Sequence, residues 1–144
     1  MKPSPDMVLN QAFAKLAMEI GPALPAGYSQ GSVTTTAVLL LMAGQEFNRA
    51  ADSRAKENAA MRALFAEQAG AWGGALGQRL RADAEPKDAD LTVATLDAGN
   101  AALKMTLIAL QAHAEESKLA PLQKRIAAML RDFATGRQIF LPAL

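Results

Sequence analysis

Apolar residues recur every three or four positions along most of this chain, which is the spacing of one face of an α-helix. The first series follows Ser4-Pro5-Asp6, a combination typical of a helix N-terminus, and Gly21-Pro22 is its predicted end. The Gly- and Pro-rich segment 21–31 is predicted to be a loop. Its tyrosine, Tyr28, is expected to pack onto the helices, with a lid over a pocket as the alternative.

The segment from Ser32 to Arg81 contains no proline, and its apolar stripe has helical spacing. A polar patch from Asp52 to Asn58 interrupts the stripe, and Asp52 or Ser53 could cap a new helix there. Neither a capping box nor a turn dipeptide supports a break at this patch. The preferred interpretation is one long or kinked helix, and two separate helices are the alternative.

Glycines at positions 70, 73, 74 and 77 surround Trp72, the only tryptophan of the chain. On a helix, small residues three and four apart form a groove that another backbone can approach closely. The segment is interpreted as a fraying helix end or, alternatively, as a contact site for a second chain or a ligand. Residues 84–87 are the predicted linker to the next element, which Asp88 or Asp90 is expected to cap.

The next helix has the most regular pattern, because its apolar residues alternate in steps of three and four. They form a seam of Val93, Leu96, Asn100, Leu103, Leu107, Leu110 and Ala114. A second apolar face consists of Ala94, Ala98, Ala101, Met105, Ile108 and Ala112. Asp97, Lys104 and Gln111 remain as a narrow polar strip. A helix with two apolar faces is expected at the centre of a bundle.

Asn100 is the one polar residue of this seam, and its amide is expected to be buried. A buried amide requires hydrogen-bond partners. The expected partner is a facing side chain that fixes the register of the helix, with a trapped water or a bound ligand as alternatives. If Asn100 only sets the register, its replacement by leucine is expected to leave folding intact or to raise stability.

The last helix is predicted to begin near Ser117, with Pro121 in its first turn, and to stop at Gly136. The short connection around Ser117 makes this helix antiparallel to the one before it. An apolar tail, 138–144, follows and contains Phe140. Such a tail is expected to dock on its own bundle or on another one.

Composition supports this helical interpretation, because 51% of the residues are hydrophobic but only 5% are aromatic. The predicted fold is all-α, a single domain over residues 1–144 that forms an antiparallel up-and-down helical bundle of four to five helices. The net charge is +1 with mixed signs, so no nucleic-acid partner is predicted. The longest apolar run, 33–44, is too short to span a bilayer, and no secretory signal precedes Asn10, so a cytoplasmic protein is expected.

Candidate chemistry is scarce along the chain. Cysteine is absent, and the single histidine, His113, is interpreted as a solvated side chain at a helix end, with a weak metal pair to Glu116 as the alternative. No catalytic residue, metal or cofactor is expected. The predicted function is non-enzymatic self-association or protein interaction, with a homodimer expected, and the alternative is a binder of a small apolar ligand in the bundle core. The candidate interface or ligand-binding residues are Tyr28, Trp72, Asn100 and Phe140.

Overall fold

The computed structural model describes residues 2–85 and 88–141 and confirms an all-α helical bundle, since no strand occurs among these residues. The helices are α1 (Pro5–Ala14), α2 (Tyr28–Gln68), α3 (Gly74–Ala84), α4 (Val93–Glu116) and α5 (Ala120–Gly136). The chain divides into two compact units. The first unit consists of residues 2–50 and 139–141, and the second unit consists of residues 51–85 and 88–138. The antiparallel up-and-down order of the bundle stays a prediction.

The first helix continues beyond its predicted end. A π-helical segment, Lys15–Ile20, follows α1, and the Gly21 N–H donates to the Leu16 carbonyl five residues earlier. One further turn, Gly21–Ala23, follows the π-helical segment directly and contains Pro22 as its second residue. The predicted stop at Gly21-Pro22 is therefore wrong by about one turn.

The predicted loop over residues 21–31 is also wrong, because only Leu24–Gly27 connect the helical segments before α2 begins at Tyr28. Threonine hydroxyls support this early start. The side chains of Thr34, Thr35 and Thr36 each donate to the backbone carbonyl four residues earlier, at 3.0, 3.0 and 2.9 Å. A segment with high strand propensity thus satisfies its polar groups within a helix.

The core of the first unit is small and is formed by Phe13 of α1 with Ala37 and Leu41 of α2. Gly44 allows the two helices to approach closely at one point. A Cβ atom at this position would lie 3.1 Å from Asn10 Oδ1 and 3.3 Å from Leu9 Cβ. A larger residue at position 44 would therefore require these α1 atoms to shift by a few tenths of an ångström.

Helix α2 runs without interruption through the polar patch Asp52–Asn58, as the preferred interpretation held. It ends at Gln68, however, and α3 begins at Gly74, so the segment 32–81 contains two helices with the break at residues 69–73. Gly74 has φ +60°, a left-handed conformation that glycine adopts without strain. The glycine cluster, and not the polar patch, is the point at which the chain turns.

The core of the second unit lies mainly on the predicted seam of α4. Every seam residue is buried except Val93, which is 40% exposed at the first helical position. Around the seam pack Met61, Leu64 and Phe65 of α2, Leu76 and Leu80 of α3, and Leu122 and Ile126 of α5. Two ion pairs join α2 to α5 and its C-terminal end: Glu57 pairs with Arg137, and Glu67 pairs with Arg125. Glu57 comes before Glu67 along α2, whereas its partner Arg137 comes after Arg125 in the chain.

The residues that begin α4 differ from those predicted. The N-cap is Thr92, whose Oγ1 accepts from the Thr95 N–H at 3.3 Å. Asp90 supports this cap by accepting from the Thr92 N–H at 2.8 Å, and Asp88 instead pairs with Arg62. Pro86 and Lys87 of the predicted linker lie outside the described residues. Two features of the last helix, α5, are as predicted: Pro121 lies in its first turn, and the helix ends at Gly136.

Helix α4 is also long and apolar enough to cross a membrane, judged by length and composition alone. Its most apolar window has a mean hydropathy of 1.2, and 33% of that window is buried. The core helix of a globular protein has the same composition. The Thr106 hydroxyl on α4 donates to Asp83 of α3 at 2.6 Å.

Candidate functional site

One face of α4 is exposed although it is almost entirely apolar. This α4 face consists of Ala94, Ala98, Ala101, Met105, Ile108 and Ala112, all of which are exposed. Met105 and Ile108 are 59% and 60% accessible. The sequence-based expectation that both apolar faces lie at the centre of the bundle is therefore wrong, because the neighbouring helices pack on the seam alone.

The α4 face is also uncharged. The charged residues beside it, Asp97 and Lys104, are bound to α2 of their own chain: Asp97 accepts from Arg54 Nε at 2.5 Å, and Lys104 Nζ lies 3.7 Å from Glu57. Both side chains are thus drawn to the flank of the helix. An apolar face without competing charge is the composition found at the centre of protein interfaces.

The first unit carries a second exposed apolar surface. On α2 it consists of Leu39, Met42 and Phe47, which are 58%, 39% and 58% exposed. Separations of three to five residues place these side chains on one side of the helix. No charged residue occurs between Glu19 and Glu46, so this surface is also neutral over most of its length.

The apolar tail is attached to α2 through the backbone of Phe140. Gln45 Nε2 donates to the Phe140 carbonyl at 2.6 Å, and Gln45 Oε1 accepts from the Phe140 N–H at 3.0 Å. The side chains of Phe140 and Leu141 remain 65% and 66% exposed. The expectation that the tail docks on its own bundle holds for the backbone of Phe140, whereas its apolar side chain stays in water. Leu144 lies outside the described residues.

Tyr28 is the first residue of α2 and is 93% exposed. The expectation that it packs down on the helices is wrong, because the segment that carries it is helical and projects the ring into solvent. Tyr28 therefore remains a candidate only as an exposed aromatic side chain.

Trp72 lies in the turn between α2 and α3 and packs partly buried against the core of the second unit. Its indole ring meets the His113 imidazole edge to face, with ring centroids 5.8 Å apart. A Cβ atom at Gly77 would lie 1.9 Å from the Trp72 carbonyl oxygen. The small-residue groove is thus filled by the backbone of its own chain. The buried Trp72 Nε1 has no hydrogen-bond partner among the residues that the structure describes.

Asn100 is buried, with 4% exposure, and its partners are facing side chains as expected. Its Nδ2 donates to Glu57 Oε2 and to Asn58 Oδ1, both at 2.9 Å. Asn58 Nδ2 in turn donates to the Leu96 carbonyl at 3.1 Å. These contacts link α2 to α4 through protein groups.

Glu57 is the charged centre of this network and is 3% exposed. Burial acts to raise the pKa of its carboxyl, but hydrogen bonds from Arg137 and Asn100 and the charge of Lys104 outweigh it and hold the pKa below its ordinary value. Arg137 donates from Nε and Nη2 at 2.5 and 2.6 Å. The network fixes the relative position of α2, α4 and α5 by polar contacts.

Sequence reasoning missed Glu57 and Asn58 as buried residues, because both belong to the polar patch 52–58. A signal was present, since Asn58 precedes Met61 by three positions and Phe65 by seven and so lies on the same helical stripe. A polar residue on an apolar stripe is expected to be buried and paired. The residues that pair with it come from distant positions, which no local pattern identifies.

A cleft of about 340 Å³ lies beside α3 and the start of α4. Its lining includes the charged side chains Arg62, Asp83, Glu85 and Asp88, with Ala98 and Leu103 among the apolar ones. Arg62 is occupied by Asp88, to which it donates two hydrogen bonds at 2.6 and 2.9 Å. This lining differs from the apolar core cavity that the ligand alternative requires.

His113 is exposed, and its Nδ1 lies 2.9 Å from the Ala109 carbonyl oxygen. Among residues 2–85 and 88–141, no three His, Asp or Glu side chains form a group that could hold a metal ion.

No family model matches the chain, and no curated protein or solved structure matches it. Function therefore has to be inferred from the geometry described above.

Proposed function

We propose that this chain is a self-associating interaction module that forms a homodimer. The observation that supports the proposal is the exposed α4 face, which leaves Met105 and Ile108 of the most regular apolar helix in water. Exposed apolar surface costs roughly 25 cal/mol per Å² relative to burial. Association is the route by which a folded chain removes such a surface from water.

A second copy fits this face because the face is neutral. In a two-fold contact each residue near the axis meets the same surface of its partner, so a charged face would meet like charge. The α4 face carries no charged residue, and Asp97 and Lys104 beside it are held by Arg54 and Glu57. Self-association therefore brings no like charges together at its centre.

The area of the α4 face sets the expected affinity of the dimer. Six exposed side chains with their flanks cover on the order of 500 Å² in each copy, so two copies bury about 1,000 Å², the lower limit of specific interfaces. Interfaces of this size are weak and reversible. The dimer is therefore expected to dissociate on dilution in the micromolar range.

The alternative, a binder of a small apolar ligand in the core, has weaker support. Asn100, its proposed anchor, already donates to Glu57 and Asn58. The cleft of about 340 Å³ is lined by four charged residues. Neither feature offers the apolar enclosure that such a ligand requires.

Light scattering on Met105→Lys tests the proposal. The lysine places two charges in the proposed contact, so the mass is expected to stay at 15.2 kDa at concentrations where the wild type approaches twice that value. Met18→Lys is the matched control, because Met18 is also a methionine with 59% exposure. A wild-type mass of 15.2 kDa at every concentration, or equal dissociation of both variants, would contradict the proposal.

A further inference from the structure

The sizes of the side chains along the α4 face are not distributed evenly. Alanines occupy positions 94, 98 and 101 in its first half, Met105 and Ile108 follow, and Ala112 ends it. Each large residue on this face therefore has a small one at the mirror position about Leu103. The α4 face is therefore complementary in shape to an identical face on a helix that runs in the opposite direction.

We propose that two copies pair through the α4 face in antiparallel orientation, with the two-fold axis level with Leu103. This inference rests on the proposed self-association and assigns its geometry. In this register Ala101 lies opposite Met105 of the second copy, and Ala98 lies opposite Ile108. Ala94 lies opposite Ala112 at each end of the contact.

Packing favours this register over the parallel one. A parallel pair would set Met105 against Met105 and Ile108 against Ile108, while Ala94, Ala98 and Ala101 would face their own copies. One helix separation cannot suit both halves, since the large pairs would hold the alanine pairs apart and leave a gap. In the antiparallel pair each long side chain enters the space above an alanine, so the axes can approach evenly to about 8 Å.

Charge favours the same orientation. In a parallel pair Asp97 would lie level with Asp97 of the second copy, and Lys104 level with Lys104. In the antiparallel register Asp97 lies level with Ala109 and Lys104 with Ala102, so these two side chains no longer face their own copies. The dipoles of the two helices also oppose each other when the helices are antiparallel.

No other part of the described chain covers this face, as the exposure of Met105 and Ile108 records. The occupant is therefore external to the described residues. A membrane surface is a poorer occupant, because helices that bind anionic lipid carry several basic residues, whereas α4 has a single lysine, Lys104, which pairs with Glu57. The match between small and large positions is specific to a second copy.

Disulfide trapping tests the orientation directly, because the chain contains no cysteine of its own. Ala94→Cys and Ala112→Cys are prepared separately, and one is labelled uniformly with ¹⁵N so that mixed and self-linked dimers differ in mass. The two positions lie about 27 Å apart along one helix. A disulfide requires Cα atoms within about 7 Å, so only facing positions can be linked.

Mild oxidation of the mixture is expected to yield mixed disulfide dimers at least about tenfold above the self-linked dimers of either variant. Ala127→Cys, an exposed alanine on α5, replaces one partner as the control and is expected to give no mixed dimer. Predominant self-linking of Ala94→Cys and of Ala112→Cys would establish a parallel pair and overturn the inference. A dimeric mass without mixed disulfides would overturn this register but leave self-association intact, whereas a monomeric mass would overturn both.

Discussion

Asn100 and Glu57 meet inside the second unit, where Asn100 Nδ2 lies 2.9 Å from Glu57 Oε2 although the residues are 43 positions apart in the chain. The same amide donates to Asn58, so one side chain of α4 holds two neighbouring side chains of α2. Glu57 then binds Arg137 at the end of α5. Three helices are thereby connected through one buried carboxylate, and this network leads to several testable consequences.

Asn100→Leu is expected to destabilise the fold. The substitution removes the donor to Asn58 Oδ1 and to Glu57, and an unsatisfied buried polar group costs about 1 to 3 kcal/mol. This replaces the sequence-based expectation of neutral or raised stability, which assumed a register role alone. Urea unfolding measures the change, with Asn48→Leu on the exposed surface as the matched control, expected within about 0.5 kcal/mol of wild type. An Asn100→Leu variant as stable as wild type would show that the network contributes nothing net.

The free energy of unfolding is expected to fall at acid pH because the Glu57 carboxylate becomes protonated. Burial acts to raise the pKa of this carboxyl, but the hydrogen bonds from Arg137 and Asn100 hold it below the ordinary value of 4.5. A lowered folded-state pKa contributes stability above the unfolded-state value, and that contribution is lost as the pH falls through the folded-state pKa. Glu57→Gln is therefore expected to show a shallower loss of unfolding free energy below pH 4.5 than wild type.

The control for this pH dependence is Glu116→Gln, which changes an exposed glutamate at the end of α4. The free energy of unfolding of this variant is expected to fall with decreasing pH as steeply as that of wild type. An unchanged slope in Glu57→Gln would mean that another carboxylate governs acid unfolding.

Two truncations distinguish the contribution of the tail to the stability of the fold from the contribution of Arg137. Removal of residues after Gly136 deletes Arg137 and leaves the buried Glu57 carboxylate to Asn100 and Lys104, at a cost of about 1.5 to 3 kcal/mol. Removal after Gln138 keeps Arg137 and deletes the Gln45 contact to Phe140, and a loss of about 1 kcal/mol is expected. Thermal unfolding of both truncated chains checks this order. Equal losses would mean that the tail, and not Arg137, supplies the stabilisation.

Gly77→Ala is expected to disturb the turn at Trp72. Its Cβ atom would lie 1.9 Å from the Trp72 carbonyl oxygen, so the turn must shift, at a cost of about 1 to 3 kcal/mol. The single tryptophan reports the shift through its fluorescence. Gly70→Ala is the matched control, because a Cβ at Gly70 meets nothing within 4 Å. Identical spectra for Gly77→Ala and wild type would contradict the close approach.

Local patterns predicted much of the fold. The seam of α4 could be predicted because each buried residue, from Leu96 to Ala114, follows the helical period. The continuity of α2 through Asp52–Asn58 was likewise predictable, since no cap or turn signal lies there. The start of α2 at Tyr28 was not, because Gly and Pro favour loops in general but are tolerated in the first turns of helices.

The candidate site was less accessible to sequence reasoning. The residues of the α4 face could be identified from their spacing, but the same spacing suits a buried face and an exposed one. Which face of α4 is covered depends on where α2, α3 and α5 pack, and that is decided by distant contacts such as Asn100 with Glu57. Trp72 and Asn100 were candidate interface or ligand-binding residues, and in the structure Trp72 packs against His113 and Asn100 bonds to Asn58, both within their own chain.

Sedimentation equilibrium of the wild-type protein across the micromolar range tests the central claim most directly. Self-association through the α4 face predicts an average mass that rises with concentration from 15.2 kDa towards twice that value. An average mass that stays at 15.2 kDa up to the highest concentration would contradict self-association.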